Sequence, residues 1–446
     1  MKKIILYLLF LFTLPAFSQT INTAKLDSFF NLLADKNKAL ASVSIYKNGE
    51  VLYNKATGFM HMNHMQAVLS NTETTYRIGS VTKMFTATMI LQLVDEGKLS
   101  LDTKLAEYYP KIANADKITI RQMLNHTSGI HSFTDDSVYL EYYTTPQTQE
   151  QLLDRFYKLT PDFEPGKETG YSNTAYVLLG YIIEKITGNT YAEELKKRIT
   201  KVADLENTYY GETTKARRNN EAHSFNYDGK DWKEAPETDM SVPHGAGAII
   251  STPNDMVKFI TALFTGKLLK PETLELMKTC DKSGFGLGCM SFGFQDKVAY
   301  GHGGSIDAFE SNLAFFPGDS LAVAVCSNGL NYSMNQLMID LLSIVYKNDF
   351  QLPIFTEFIL NAETLEAYKG VYAAPGFPLK ITVTPQGNQL SAQATGQPSF
   401  ILEAQSETLF KFDPAAITIE FVKDENGTIN TFKFTQGGFK TVFVKE

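Results

Sequence analysis

The sequence predicts an α+β protein built on one antiparallel sheet, with flanking terminal helices, a large helical insert and a small C-terminal β-barrel. Three observations indicate this architecture. Strand patterns occur early and again from residue 285, whereas residues 84 to about 280 follow mainly helical spacing. Short alternating strands with turn signals return beyond residue 362. We therefore expect the early and late strands to form a single sheet, with the helical insert packed at one end.

The composition is that of a soluble globular protein, with 446 residues, 43% apolar and 20% charged. The formal charge is −8, and removal of Lys2 and Lys3 with the N-terminal segment would lower it by two units, to −10. Nucleic acids and anionic membranes attract clustered positive charge. The charge balance therefore argues against either of them as a partner.

Residues 1–18 have the pattern of a secretory signal. Lys2 and Lys3 precede a short apolar run, and Ala16-Phe17-Ser18 is a small-x-small cleavage site. An uncleaved anchor is the alternative, but the run is short for a membrane span. No cysteine comes directly after the cleavage site, so we expect no lipidated N-terminus, and no later stretch is apolar enough over a sufficient length to cross a bilayer. We expect an exported protein, periplasmic or secreted, with no membrane span after signal removal.

The start of the main domain, predicted over 19–350, combines a helix with a hairpin. Apolar residues repeat at helical spacing over 23–36, which indicates an amphipathic helix. Two β-rich runs, 42–46 and 51–53, flank Asn48-Gly49, a strong hairpin signal. This hairpin supplies the early strands of the sheet.

Residues 60–65 read Met-His-Met-Asn-His-Met, which offers soft sulfur and imidazole ligands. Such ligands suit copper(I). An irregular surface segment leading to the next helix is the favoured interpretation. We therefore expect no metal ion in this protein.

The helical insert shows clear start and stop signals. Thr119 is placed to cap a short helix, Thr252 precedes Pro253 at a first helical position, and Gly188 follows a strongly apolar helix. Residues 204–247 are polar and poorly periodic, which predicts loops with a short hairpin. The predicted helices cover an apolar stretch that ends at Glu96, and residues 120–125, 148–158 and 176–186.

Strands dominate after the insert, and a final helix follows over about 333–347. A linker is predicted at 351–362, and residues 363–446 are predicted to form a small closed barrel or meander of seven short strands. The predicted strands of the main domain in this part of the chain are 285–288, 298–300, 312–316 and 321–325.

Three cysteines occur, at positions 280, 289 and 326. Cys280 and Cys289 can pair in an oxidising compartment, which would leave Cys326 over. Buried free thiols explain the pattern equally well. We expect no essential disulfide.

Ser80-Val81-Thr82-Lys83 carries the chemistry around which the chain is organised. The stretch after it has helical spacing and is predicted to present one wide apolar face over residues 84–94, so Ser80 lies at a helix N-terminus and Lys83 one turn later on the same side. A serine with an amine one turn away is a candidate nucleophile with its own base. An ordinary serine N-cap is commoner. A second Ser-x-x-Lys, at Ser44 and Lys47, lies in alternating sequence, where the two side chains face opposite sides of a strand.

Two further segments suit the same chemistry. Tyr171-Ser172-Asn173 precedes an apolar helix, and a tyrosine near an ammonium loses its proton more easily. Packing is the usual role of tyrosine, and Tyr-x-Asn also begins at Tyr46 and Tyr346. Gly301-His302-Gly303-Gly304-Ser305 is expected at a strand end, where glycines allow a backbone to approach a ligand. A tight turn is the alternative, although the embedded histidine favours a functional role.

The ordered set Ser-x-x-Lys, Tyr-x-Asn and His-x-Gly resembles the serine β-lactamase-related family over about residues 23–347. That family includes class C β-lactamases, low-molecular-weight penicillin-binding proteins, D-aminopeptidases and certain esterases. Residues 124–130, Leu-Asn-His-Thr-Ser-Gly-Ile, also match a family signature of structural character, so His126 is interpreted as a hydrogen-bonded loop residue. The resemblance implies a β-lactamase-like fold, and the C-terminal region resembles the lipocalin-like barrels appended to some relatives.

The resemblance implies a role for each site residue. Ser80 would attack a carbonyl and form an acyl-enzyme, Lys83 and Tyr171 would share the acid and base work, and Asn173 would orient the substrate. The backbone N–H groups of Ser80 and Ser305 would form the oxyanion hole, and the substrate-binding edge comprises His302, Gly303, Gly304 and Ser305. This chemistry requires no cofactor, and which of Lys83 and Tyr171 takes the first proton stays open.

His302 departs from the lysine that β-lactamases usually carry at this place. A histidine is mostly neutral at pH 7 and is a poorer anchor for a substrate carboxylate. The sequence therefore favours an esterase or a D-amino-acid peptidase or amidase, acting on a small-molecule or peptide substrate that includes peptidoglycan-derived peptides. One alternative is a penicillin-recognising protein or D-Ala-D-Ala carboxypeptidase with slow turnover. Another is a degenerate scaffold beside a ligand-binding barrel, against which the intact set of motifs argues.

Overall fold

The computed structural model describes residues 21–63, 66–211, 217–347, 350–355, 358–397, 399–436 and 439–446. The predicted signal, residues 1–18, lies outside this part of the chain. No helix formed by the described residues has both the length and the apolar character needed to span a bilayer.

The helices begin and end close to the positions that the sequence predicts. Thr119 caps its helix with a capping box, and Gly188 ends another in the left-handed conformation. The described helices are α1 Thr23–Asp35, α2 Thr82–Asp95, α3 Ile120–Leu124, α4 Gln149–Phe156, α5 Asn173–Thr187, α6 Tyr191–Leu195, α7 His244–Gly247, α8 Pro253–Phe264, α9 Pro271–Lys278, α10 Met334–Val345 and α11 Ala362–Glu366.

The strands divide into a main sheet, three small sheets and a barrel. Those before the barrel are β1 Ala39–Lys47, β2 Glu50–Thr57, β3 Phe59–Asn63, β4 Gln66–Leu69, β5 Tyr76–Arg77, β6 Tyr209–Tyr210, β7 Phe225–Tyr227, β8 Trp232–Glu234, β9 Ile249–Ser251, β10 Met290–Phe294, β11 Lys297–Ile306, β12 Phe309–Phe316 and β13 Leu321–Leu330. Those of the barrel are β14 Gly370–Ala373, β15 Ile381–Gln386, β16 Gln389–Ala394, β17 Phe400–Ala404, β18 Leu409–Phe412, β19 Ile417–Lys423, β20 Ile429–Gln436 and β21 Phe439–Lys445.

The main sheet confirms the predicted joining of early and late strands. Its six strands run in the order β10-β11-β12-β13-β1-β2, and every neighbouring pair is antiparallel. One face packs on α1 and α10 through a core that includes Phe29, Phe30 and Leu341. The other face packs on the helical insert through a larger core that contains α2, α5 and α8. The fold is therefore the β-lactamase-like α/β architecture that the sequence led us to expect.

Three local predictions are wrong, each for a physical reason. Residues 285–288 form a turn-rich loop with an isolated bridge from Phe285 to Met290, because left-handed Gly284 and Gly288 interrupt the extended chain. Residues 60–63 are not irregular, since they belong to β3, which pairs with β4; His64 and Met65 of the same predicted segment lie outside the described residues.

The third error concerns α2, which was predicted to present one apolar face. Eleven of its residues are buried, including Thr82, Lys83, Thr86 and Thr88. The helix therefore lies inside the insert, with the rest of the larger core packed around it. This location removes Lys83 from water, which decides its chemistry.

The C-terminal region is a closed eight-stranded barrel whose interior is filled by side chains. Tyr372, Phe421, Phe432 and Phe443 pack against one another with ring centroids 4.8–6.1 Å apart. The sequence predicted seven of these strands and missed β16. The filled interior argues against a ligand held inside the barrel.

An ion cluster joins the barrel to the main domain. The ammonium of Lys38, only 3% exposed, contacts Glu403 at 2.5 Å and Asp413 at 3.2 Å. Asn331 also donates to Glu403 at 2.8 Å. Since Lys38 immediately precedes β1, this cluster fixes the barrel directly to the main sheet.

Candidate active site

Ser80 and Lys83 meet at the start of α2. Residues Gly79–Val81 form a 3-10 turn that leads into the helix, so the two side chains are one turn apart on the same side. The distance from Lys83 Nζ to Ser80 Oγ is 3.0 Å. This contact gives the hydroxyl of Ser80 an adjacent base at a helix N-terminus.

Lys83 is fully buried, and none of the described carboxylates forms an ion pair with it. Burial alone lowers the pKa of its ammonium well below the ordinary value of a lysine. Besides Ser80, Nζ contacts Asn173 Oδ1 at 2.7 Å and the carbonyl oxygen of Ala246 at 3.0 Å. A neutral amine has two N–H donors and one lone pair, which matches two oxygen acceptors and the Ser80 hydroxyl as a donor.

Tyr171 lies beside this pair. Its ring is 4.7 Å from Lys83 Nζ and stacks on His126 with a centroid distance of 4.4 Å. Burial raises the pKa of the Tyr171 phenol, although a hydrogen bond with Ser80 acts in the opposite direction. The sequence-based expectation of an easily deprotonated tyrosine is therefore wrong, because desolvation outweighs any nearby cation.

His126 has a supporting position. Its Nδ1 accepts a hydrogen bond from the backbone N–H of Ser172 at 3.2 Å, and its ring packs against Tyr171, Tyr176 and Phe285. Burial lowers the pKa of this imidazole well below its usual value, so it is neutral. The geometry agrees with the interpretation of His126 as a hydrogen-bonded loop residue.

Asn173 begins α5, directly after the N-cap Ser172. Its amide oxygen accepts from Lys83, and its amide nitrogen donates to Thr134 Oγ1 at 2.9 Å. Its backbone N–H donates to Ser132 Oγ at 3.1 Å. The Asn173 side chain lines the cleft, but both ends of its amide are engaged within the protein, so it also positions the lysine.

Residues 301–305 lie inside the ten-residue strand β11, so the prediction of a strand end is wrong. Strand β10 pairs only with Lys297 to Gly301, which leaves the later part of β11 without that partner. Gly79 has φ +50, and a Cβ on it would lie 2.9 Å from the backbone N of Ser305. The backbone of Ser305 therefore lies against the turn that carries Ser80.

Gly304 and Gly303 differ in their surroundings. A Cβ on Gly304 would lie 2.1 Å from the carbonyl oxygen of Ile78 and 2.4 Å from Ser311 Oγ. A Cβ on Gly303 would meet nothing nearer than 4.0 Å. Only glycine at 304 lets β11 approach the turn before Ser80.

His302 is buried rather than open to the cleft, with 4% of its surface exposed. Its Nδ1 lies 2.5 Å from the carbonyl oxygen of Gly303, and its ring centroid is 6.3 Å from that of Tyr171. Burial is the largest cause that lowers its pKa, to about 4, and Lys83 contributes. His302 is therefore neutral at pH 7, as the sequence suggested, and carries no charge with which to hold a carboxylate.

The sequence did not reveal the short helix α7, which supplies Ala246. The carbonyl of Ala246 accepts from Lys83, and the carbonyl of Gly245 accepts from Thr86 at 2.6 Å. Backbone groups leave no side-chain signature, so no residue type identifies them in advance. The run of small residues Gly245 to Gly247 was the available signal, because it allows α7 to pack closely on α5.

A cleft of about 390 Å³ opens beside Ser80. Its wall is largely aromatic and aliphatic. Its polar groups include Thr238 and Asp307, and the carboxylate of Asp307 accepts a hydrogen bond from the backbone N–H of Thr238. No basic side chain is found among the described residues that line it. The lining residues are Gly79, Ser80, Phe133, Thr134, Tyr139, Leu140, Tyr143, Asn173, Thr238, Pro243, Ala246, Gly247, Ser305, Ile306 and Asp307.

A metal ion has no evident place here. Within the described ranges, no group of three His, Cys, Asp or Glu side chains is arranged to hold one. His61 and His223 lie with ring centroids 5.3 Å apart at the hairpin where the copper alternative was considered. The contact of Ser80 with Lys83 is the arrangement that nucleophilic chemistry by a serine hydroxyl requires.

The fold and this arrangement define a serine hydrolase. The family model described as Beta-lactamase matches residues 29–342, and the chain belongs to that family. Penicillin-binding protein 4 of Amycolatopsis lactamdurans is 27% identical over 315 residues, which are 65% of this chain and 80% of that protein. The teichoic acid D-alanine hydrolase of Staphylococcus aureus is 26% identical over 52% of this chain and 56% of its own length.

A solved structure extends the comparison. The D-stereospecific amidohydrolase from a Streptomyces species is 28% identical, has a TM-score of 0.60, and is covered over 94% of its length by 69% of this chain. This chain spans only about half of the length of the Staphylococcus aureus relative. The similarity therefore concerns the hydrolase domain.

Proposed function

We propose that this protein is an exported serine hydrolase that acylates Ser80 with neutral amides or esters of D-amino acids and then hydrolyses the acyl-enzyme. The observation that carries this proposal is the contact of Ser80 Oγ with the amine of Lys83, whose pKa burial lowers well below its ordinary value. Two similar proteins support this chemistry, since one is a teichoic acid D-alanine hydrolase and the other is a D-stereospecific amidohydrolase.

Lys83 acts as the first base in this mechanism. Its lone pair accepts the proton of Ser80 as Oγ attacks the substrate carbonyl. Tyr171, whose pKa is raised by burial, keeps its proton at pH 7 and so serves as a donor. The backbone N–H groups of Ser80 and Ser305 bind the oxyanion as it forms.

The protons balance over the two halves of the reaction. In acylation, the C–N or C–O bond breaks and the leaving group takes a proton from Tyr171, which is restored from the Lys83 ammonium. In deacylation, Lys83 accepts a proton from the attacking water and returns it to Ser80 Oγ as the bond between Oγ and the acyl carbon breaks. Asn173 and the Ala246 carbonyl hold the amine in place throughout.

The cleft favours an acyl group that is apolar and a substrate without a free carboxylate. Phe133, Tyr139 and Tyr143 provide an aromatic wall, and no described lining residue carries a positive charge. Burial keeps His302 neutral. A β-lactam or a D-Ala-D-Ala peptide would bury its carboxylate here without a cation to pair with it, and burial of an unpaired charge is unfavourable in free energy.

A substrate panel tests this proposal. The mature enzyme and Ser80→Ala are compared on D- and L-phenylalanine amides, p-nitrophenyl acetate and nitrocefin. We expect the D-amide and the ester to be turned over, with much lower kcat/KM for nitrocefin and no turnover by the variant. A preference for nitrocefin, or equal rates for both enzymes, would contradict the proposal.

Slow turnover is the second candidate function, and similarity to penicillin-binding protein 4 favours it. Labelling with a fluorescent penicillin, followed over time, separates the two. Loss of the label within a turnover time supports a hydrolase, whereas a label that persists on Ser80 supports a penicillin-recognising protein.

Export is part of the proposal and rests on the signal pattern of residues 1–18. Expression of the full chain in a bacterial host, followed by fractionation and N-terminal sequencing, tests it. We expect a periplasmic or secreted product that begins after Ser18. A cytoplasmic product that retains Lys2 and Lys3 would refute it.

A further inference from the structure

Two free cysteines bracket a loop beside the active site. Cys280 lies after α9 and is half-buried, whereas Cys289 lies just before β10 and is 1% exposed. Gly286 N donates to Cys289 O at 2.8 Å and Ser291 N donates to Gly284 O at 2.9 Å, so the second half of the loop folds back on itself. Residues 281–288 have one thiol on each side.

The two thiols occupy the same small space. A Cβ on Gly286 would lie 3.3 Å from the Sγ of Cys280 and 3.3 Å from the Sγ of Cys289. Cys289 Sγ donates to the carbonyl oxygen of Met277 at 3.1 Å. A Cβ on Gly286 would lie 2.3 Å from that same oxygen, so only glycine fits beside the two sulfur atoms.

This loop packs on the catalytic residues. Gly288, with φ +81, lies so close to α2 that a Cβ on it would be 3.3 Å from the carbonyl oxygen of Lys83 and 3.1 Å from the Tyr176 hydroxyl. Phe285 packs on His126 and Tyr171 with centroid distances of 5.1 and 6.2 Å. Opening of the loop would remove its contacts with the helix that carries Lys83 and with the ring of Tyr171.

The two thiols differ in reactivity. The interaction with Cys289 lowers the pKa of the Cys280 thiol, whereas the interaction with Cys280 and burial raise the pKa of Cys289 well above its usual value. Cys280 is also the more exposed of the two. Thiolate character and access together make Cys280 the nucleophile in thiol–disulfide exchange and Cys289 the resolving thiol.

We propose that Cys280 and Cys289 are an oxidisable pair whose disulfide fastens loop 281–288 onto the active site. The oxidant is a disulfide, either glutathione disulfide or an oxidised dithiol protein. The Cys280 thiolate attacks it, forms a mixed disulfide and releases one thiolate. Cys289 then attacks the Cys280 sulfur and releases the second, so that two protein thiols lose two electrons and the oxidant disulfide is reduced to two thiols.

Peptide mapping tests the pair directly. The mature enzyme is reduced, incubated with glutathione disulfide, alkylated and digested without reduction. We expect one link, between Cys280 and Cys289, while Cys326 stays a free thiol because it is fully buried beside Met256. A stable glutathione adduct on Cys280, or alkylation of both thiols, would overturn the proposal, because either shows that the sulfur atoms do not meet.

Two variants complete the test. In Cys289→Ser, glutathione should remain attached to Cys280, since the resolving thiol is missing; a free Cys280 would contradict its role as nucleophile. Cys280→Ser changes a half-buried position and should fold. Near the onset of unfolding, we expect oxidised wild type to keep activity at least about threefold longer than reduced wild type, as for closure of a short loop.

We expect Cys280→Ser to have the same half-life of activity with and without oxidant. This result would show that the Cys280–Cys289 disulfide causes the difference between oxidised and reduced wild type. Equal half-lives of oxidised and reduced wild type would show that the link does not fasten the loop. The mapping does not depend on which substrate the enzyme prefers, so failure of this inference is distinguishable from failure of the proposed function.

Discussion

Gly304→Ala should inactivate the enzyme by separating β11 from the turn before Ser80. The added methyl would lie 2.1 Å from the carbonyl oxygen of Ile78 and 2.4 Å from Ser311 Oγ. These two atoms are joined by a hydrogen bond of 2.8 Å from Ser311, so neither moves freely. The backbone of β11 must therefore shift away, and the N–H of Ser305 shifts with it.

The expected size of the effect follows from the geometry. Relief of a 2.1 Å contact to an ordinary carbon–oxygen separation needs a movement of about 1 Å. A misplacement of about 1 Å costs roughly 10²-fold in rate, and loss of one oxyanion donor costs about 10²–10³-fold in kcat. We therefore expect kcat/KM to fall about 100-fold, with overpacking lowering stability by about 1–3 kcal/mol.

The assay is kcat/KM on a p-nitrophenyl ester, measured with the Tm of each protein. Gly303→Ala is the matched control, because its Cβ would meet nothing nearer than 4.0 Å. The control should stay within about threefold of wild type in rate and keep its Tm. If Gly304→Ala were as active as Gly303→Ala, the close approach of β11 to Ser80 would not be needed for catalysis and the reasoning would fail.

Four further outcomes follow from the charges. In Lys83→Arg the guanidinium offers no basic lone pair, so phosphonylation of Ser80 by a fluorophosphonate should slow by about 10²–10⁴-fold. Because burial lowers the pKa of Lys83, the unfolded chain binds more protons than the folded one up to about pH 10.4. Urea titrations should therefore show wild type gaining stability relative to Lys83→Met as pH rises towards that value. His302→Lys should raise the ratio of nitrocefin to p-nitrophenyl acetate rates roughly tenfold, and an unchanged ratio would remove His302 from selectivity. Lys38→Ala leaves Glu403 and Asp413 unpaired, so calorimetry should show a loss of about 1–3 kcal/mol, with the barrel melting first.

Periodicity and caps predicted most of the fold, because they are local. Gly188 and Thr119 end and begin helices through contacts within a few residues, and the antiparallel sheet follows from the order of the elements. The sequence did not predict that residues 301–305 lie inside β11, because the length of this strand depends on which strands pair beside it. The hairpin β3–β4 was missed because its polar and sulfur side chains do not alternate.

The sequence predicted which residues form the site but not their protonation states. Ser80, Lys83, Tyr171 and Asn173 lie together as their motifs suggested, whereas their protonation depends on burial that only the packed structure defines. A helical pattern with apolar residues on one side did not reveal that Lys83 is enclosed. The carbonyl of Ala246, a backbone group, has no residue type that would reveal its role.

The contact of Gly79 with Ser305 has a consequence for inactivation. Ser80 lies in the turn that leads into a helix of the insert, whereas Ser305, the other proposed oxyanion donor, belongs to the main sheet, and its backbone lies against Gly79 at the junction of these layers. A small slip between the layers separates the donors while leaving both hydrophobic cores intact. In rising denaturant, loss of activity should therefore precede the loss of secondary structure.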